Sequence, residues 1–379
     1  MATERKNIGA KIERLLWGVA AGRCEFKGCN KLLYIHETTG DVENLAEKAH
    51  IYAVQPRGAR YIELNDKNDI SNLILVCPAC HKVIDRNPEC YTAEYLYDMK
   101  IEHENRIRIL TSIDVTMKSH LIYYTANISD DRLIINDSDA KLALTSIARY
   151  PAEVRPIDLS VHGSYTEDRD INYYSENKQN LERSIKSQVL DIIEQGESIA
   201  LFAIAPQPLL IYLGYQLNDK YNVSVFQCHR RSNDKWSWNG DYSPIDFQII
   251  FPKRINSSGK IALVLALSSS VIEDRITNVL GADTNIYTVT IERPNRTFVT
   301  HPFIMDSFVE KTREVIENIK QKHGSKLSIH VFPVMPVSLA VRFGMDYMSK
   351  TDNHLIIYDE ISERSFIPAL EIGGEKYDC

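Results

Sequence analysis

Apolar residues recur at helical spacing at the start of the chain. Ile8, Ile12, Leu15, Leu16 and Val19 form one stripe, which predicts a helix over residues 7–21 with Gly22 as its stop. A second helix is predicted over residues 92–110, leaving the first domain as a stalk. Residues 111–150 mix short apolar and polar pieces, and a domain boundary is placed there, at 115/116. From about residue 175 the pattern changes. Leu181, Ile185, Val189 and Ile193 recur every four residues, and Gly196 closes that helix. Apolar runs predict strands at 198–204, 223–227, 261–267, 286–291, 327–334 and 354–358, with helices between several of them, as over 303–322. Such alternation predicts an α/β domain with a mostly parallel sheet.

The pattern also repeats. At a constant offset of 130, Phe202 meets Phe332, Pro206 meets Pro336, Leu209 meets Leu339 and Gly214 meets Gly344. Each copy reads as strand, proline-containing turn and helix, so either two ordinary βα units look alike or a Rossmann-like half has been duplicated. Duplication places two βα turns on one crevice at the carboxyl ends of the strands, where open α/β sheets bind ligands.

Length and charge narrow the reading. The 379 residues allow two or three domains. No stretch approaches the ~18 apolar residues of a membrane span, and the charged start Met1-Ala2-Thr3-Glu4-Arg5-Lys6 does not resemble a signal peptide, so a cytoplasmic protein is expected. The net charge is −7, yet residues 1–110 carry 16 basic and 16 acidic side chains, so any nucleic-acid contact must come from a local patch. Seven cysteines are present, of which Cys90, Cys228 and Cys379 are scattered. In a reducing compartment metal binding is a better reading than a disulfide framework.

The other four cysteines are paired. Cys24 and Cys29 form C-x4-C, Cys77 and Cys80 form C-x2-C, and two such knuckles are the usual way to bring four thiolates to one structural Zn²⁺. Between and after them stand His50, Asn72 and His81, which a zinc ribbon does not need. His50 is a candidate general base, and His81 can ligate a catalytic Mg²⁺ or similar divalent cation. Asn72 is either a turn residue or one whose amide pins the loop carrying His50. Over residues 24–85 the order A-H-I, N-L, C-x2-C-H resembles the HNH endonucleases. That resemblance implies His50 as base, Asn72 as the central structural asparagine and His81 as metal ligand. Ala49 departs from it, because many HNH enzymes carry an aspartate ligand before the base. Asp85 is one carboxylate that can stand in.

Residues 227–231 and 236–238 read Q-C-H-R-R and W-S-W. Trp236 and Trp238 share one face of an extended segment, either to stack on bases beside the cationic Arg230 or to pack in a core. Together with the duplicated unit this half resembles a SAVED domain, and the whole chain resembles the HNH–SAVED effectors of CBASS anti-phage defence. The implied architecture is an α+β, zinc-bound ββα-metal domain over 1–115, then an α/β SAVED domain over 116–379 made of two fused CARF-like halves, about 150–255 and 256–379. The resemblance further implies a cyclic di- or trinucleotide activator held near Pro206, Gln207, Pro208, Arg230, Trp236, Trp238, Pro336 and Ser338. Homo-oligomerisation on ligand binding would then switch on degradation of double-stranded DNA with little sequence specificity, leaving 5′-phosphate and 3′-hydroxyl ends. A ligand-responsive zinc regulator that binds DNA without cutting it is the competing reading, and Ala49 is its best support.

Overall fold

The computed structural model describes residues 7–127, 134–160, 172–229, 235–238, 240–362 and 365–373. The chain divides into two compact units, Met1–Asp114 and Val115–Cys379.

In the first unit the apolar run Leu73–Val76 is wholly buried, so it needs cover on both faces. Helix α1 (Ala10–Val19) and strand β1 (Glu47–His50) precede this run, which is strand β2. The two strands pair antiparallel, with Glu47 opposite Val76 and His50 opposite Leu73. Helix α2 (Pro78–Arg86) follows at once; proline suits its first position, where the missing N–H would have no partner. Helix α3 (Ala93–Thr111), capped by the Thr92 hydroxyl, adds Leu96 and Met99 to the core that Leu16 and Ala20 enter from α1. Helix α1 is shorter than predicted, because Ala21 and Gly22 take φ of 51° and 62° and turn the chain out of the helix.

The second unit holds two sheets. The first half comprises β3 (Lys118–Thr125), α4 (Asp137–Thr145), β4 (Tyr150–Pro151), β5 (Ile157–Asp158), α5 (Tyr173–Gln188), α6 (Leu190–Glu194), β6 (Ile199–Ile204), α7 (Gln207–Leu217) and β7 (Val223–Val225). Its strands run parallel in the order β4-β3-β6-β7, with β5 beside β3. The second half comprises β8 (Phe247–Ile250), β9 (Ile261–Ala266), α8 (Glu273–Leu280), β10 (Asn285–Ile291), α9 (Pro302–His323), β11 (Ile329–Val334), α10 (Val337–Met345), β12 (Leu355–Ser362) and β13 (Ser365–Ile372). Its order is β13-β12-β11-β9-β10-β8, four parallel strands flanked by antiparallel edges.

Three expectations about this unit need correction. The first half starts at β3, not near residue 150, because β3 pairs along its length with β6. The second begins at or before β8, ahead of 256, because β8 pairs with β10. The helix expected through Ile193 is also broken at Val189, whose φ of −115° and ψ of −26° separate α5 from α6.

The repeat is present in three dimensions. Strands β6 and β11, and helices α7 and α10, start 130 residues apart. The two helices cross at their glycines. A Cβ on Gly214 would stand 2.0 Å from the Val341 carbonyl oxygen, and one on Gly344 1.9 Å from that of Ile211. Only glycine permits so close a backbone approach. The aromatic surroundings repeat too: Phe202 stacks on Phe226 and meets Trp236 edge-on, as Phe332 stacks on Tyr358 and meets Phe366. Among the described residues no helix is long and apolar enough to cross a membrane.

Candidate functional site

The four knuckle cysteines converge in the first unit. Their sulfurs all lie within 4.8 Å of one another, with Cys29 and Cys77 at 4.0 Å. Tetrahedral Zn–S bonds of about 2.3 Å put sulfurs roughly 3.8 Å apart, so the donor set fits that ion. The Cys77 N–H donates to the Cys24 sulfur at 3.3 Å and the Cys80 N–H to the Cys77 sulfur at 3.5 Å. Burial pushes the Cys24 thiol up to about 12 and raises Cys80 as well. At Cys77 burial is outweighed by hydrogen bonds from Cys80, Cys29 and Cys24, which hold that thiol below its ordinary value. Four thiolates this close repel one another, and a divalent cation is the species that would hold them ionised.

The knuckles brace the ribbon. The Glu25 N–H donates to the Leu75 carbonyl at 2.9 Å, while the buried Glu25 carboxylate accepts the Leu75 N–H at 2.5 Å. Burial raises that carboxyl to about 7 against the opposing pull of Lys100. Asn72, 4% exposed, spans the loop between the strands. Its Oδ1 accepts the Tyr52 N–H at 2.7 Å, and its Nδ2 donates to the Tyr52 and Lys67 carbonyls at 3.1 and 2.9 Å. The chain immediately after His50 is thereby fixed. The His50 Nε2 lies 3.0 Å from Asn68 Oδ1, and because an amide oxygen only accepts, Nε2–H is the donor in that contact.

His81 sits in the first turn of α2 with a carboxylate at each ring nitrogen. Glu47 Oε2 is 2.5 Å from Nδ1 and Asp85 Oδ2 is 3.5 Å from Nε2. Ala49 is buried and brings no polar group. Glu47 and Asn68 escaped the sequence reading. The period-2 alternation of a strand, which puts Glu47 on the face of Ala49, is the signal that would have found the first. Among the described residues the four cysteines are the group of three or more donors that converges on one point, so a cation at His81 would complete its shell with water or phosphate oxygens.

In the second unit the two prolines mark twin turns. Pro206 precedes α7 with φ −54° and ψ 144°, and Pro336 precedes α10 with φ −57° and ψ 148°. Polar links join the halves there. Gln207 Nε2 donates to the Met335 carbonyl at 2.8 Å, and the buried Gln227 Oε1 accepts the Ser338 hydroxyl at 2.7 Å and its N–H at 3.2 Å. Pro208 is buried in the first turn of α7. The expectation that Trp236 stacks on a ligand base is corrected: it is 2% exposed and packed edge-on against Phe202, with no face left for a base. Trp238 is half-buried, stacked toward Phe226 and edge-on to His229. The tryptophans do share a face, but it is the core face. Arg230 lies outside the described residues.

The fold resembles solved structures of Acinetobacter baumannii Cap4, a SAVED/CARF-domain containing receptor. With the cyclic trinucleotide 3′3′3′-cAAA the match has 12% identity and TM-score 0.44, over 76% of this chain and 66% of that one. With 2′3′3′-cAAA it has 12% identity and TM-score 0.40 over the same shares. Moraxella osloensis Cap4 matches at 9% identity and TM-score 0.41, over 77% of this chain and 60% of that one. The chain thus spans about two thirds of the length of the receptors it matches. No curated protein matches it. The family model for the SMODS-associated and fused to various effectors sensor domain matches residues 181–372, just over half of the sequence, taking in β6 and β7 of the first sheet and the whole of the second. The chain belongs to the SAVED family.

Proposed function

We propose that the protein is a cyclic-nucleotide-activated DNA endonuclease of bacterial antiviral defence, with a ββα-metal HNH effector in the first unit and the sensor in the second. The observation that carries the nuclease reading is the ribbon-plus-helix β1–β2–α2, with an imidazole at the end of the ribbon, another on the helix and Asn72 pinning the loop between. His50 Nδ1 takes a proton from the attacking water while Asn68 holds the opposite nitrogen. A divalent cation at His81, Mg²⁺ or similar, would neutralise charge on the scissile phosphate. Zn²⁺ at the four cysteines is structural, fastening the first knuckle to the ribbon. The crevice at Pro206–Gln207 and Pro336–Ser338 receives the cyclic di- or trinucleotide, as SAVED membership and the paired turns support. Ligand binding creates a contact between copies that brings the effectors together, which keeps an always-present nuclease from attacking host DNA.

The test is plasmid incubated with protein, Mg²⁺ and a panel of cyclic di- and trinucleotides. One ligand should trigger cutting and raise the particle mass. His50→Ala should slow cutting about 10²–10⁴-fold with ligand affinity intact. Because Ala49 offers no carboxylate, a DNA-binding regulator is the second reading, and plasmid that shifts in a gel but stays intact with every ligand would select it.

A further inference from the structure

The carboxylate missing before His50 is supplied one pleat earlier. Glu47 and Ala49 share a face of β1, since side chains alternate along a strand. Glu47 also pairs with Val76, two residues before α2, so its side chain meets the first turn of that helix. There its Oε2 lies 2.5 Å from His81 Nδ1.

We propose that Glu47 is a positioning residue that holds His81 in the Nδ1–H tautomer and turns Nε2, together with Asp85, toward a divalent cation. The inference rests on the nuclease reading for its purpose but not for its geometry. Histidines that ligate metals almost always donate their other ring N–H to a carboxylate or carbonyl, which fixes the ring and raises the basicity of the ligating nitrogen. Glu47 has that place. Asp85 has the other: its Oδ2 is 3.5 Å from Nε2, one helical turn along α2. Two cis ligands about 2.1 Å from an octahedral Mg²⁺ stand about 3.0 Å apart, so the pair closes on an ion by roughly half an ångström.

The direction also fits. Asp85 lies within electrostatic reach of Arg60, whose Nε donates to the Ile51 carbonyl at 3.0 Å, next to His50. Asp85 is thus linked through Arg60 to the segment that follows His50. Glu47 is on the far side of the His81 ring, roughly 10 Å back along β1.

The experiment uses the full chain with Mn²⁺ and no DNA. Electron paramagnetic resonance titration should give an Mn²⁺ affinity that falls 10–100-fold in Glu47→Ala and recovers in part in Glu47→Gln, whose amide oxygen still accepts the Nδ1 proton. Asp85→Asn should weaken binding as well. Long-range ¹H–¹⁵N spectra should show His81 Nε2 as the unprotonated nitrogen in the wild type, and a tautomer mixture in Glu47→Ala with an unchanged melting temperature. Wild-type affinity in Glu47→Ala, an unprotonated Nδ1, or no Mn²⁺ binding by the native chain would each overturn the inference. If these results hold while the native protein cuts no DNA with any ligand, the nuclease reading fails and the cation site stands.

Discussion

The two units achieve order by opposite means. The first has a four-residue ribbon and three helices around a small apolar core, within which its two knuckles bring four cysteine sulfurs within 4.8 Å of one another. The second is built from strands such as β6, β9 and β11, whose residues are almost all buried, and its halves lock through backbone contact at Gly214 and Gly344. On the proposed reading one unit depends on a metal ion that chelators would remove; the other depends on the absence of two side chains. Each should fail without the other failing.

Metal removal is the harshest way to break that comparison. Structural zinc contributes about 10–16 kcal/mol of apparent binding free energy, which is folding free energy when no site exists in the unfolded chain. Chelation, or Cys77→Ser, should make the first unit protease-sensitive while the second keeps its unfolding transition; joint loss would show that the units are not independent. Next in size is Gly214→Ala. Its Cβ must displace a carbonyl, a strain of about 3 kcal/mol or more, read as a lowered melting temperature of the second unit alone. The effect of pH comes third. Burial, with Lys260 and His354 adding to it, lowers His330 from 6.5 to about 4. A histidine depressed on folding resists protonation only when folded, so its stabilisation is full above about pH 6.5 and fades between there and about 4. At most about 3 kcal/mol is at stake, and unfolding curves of the second unit should flatten over that window in His330→Gln. Thr92→Ala, which removes the hydroxyl capping α3, should cost the first unit about 1 kcal/mol by chemical denaturation.

How legible each unit was follows from the same contrast. Buried parallel strands read as unbroken apolar runs, so β6, β9 and β11 stood out. Strand β3 did not, because its sequence KSHLIYYT mixes polar ends with tyrosines; Tyr123 donates its hydroxyl to Asp137, a partner that exists only after folding. The edge strand β8 alternates buried Phe247 with exposed positions and is only four residues long. The cysteine spacing made the knuckles legible, whereas Glu47 needed the pairing register to be seen beside His81. Trp236 and Trp238 illustrate what periodicity leaves open: it puts two rings on the same side, and only the position of Phe202 decides that this side is inward.

The fusion has one more implication. The counterpart of Gln207 is Val337, that of Gln227 is Asp359 by the register that sets Val223 beside Ile199 and Leu355 beside Ile329, and that of Ser338 is Pro208, which has neither a hydroxyl nor an N–H to give. Both polar bridges between the halves therefore start from glutamines of the first half, and neither has a mirror image. Two separate identical chains would be obliged to make each bridge twice. A single polypeptide escapes that obligation, and the junction between its halves acquires a left and a right that are chemically unlike.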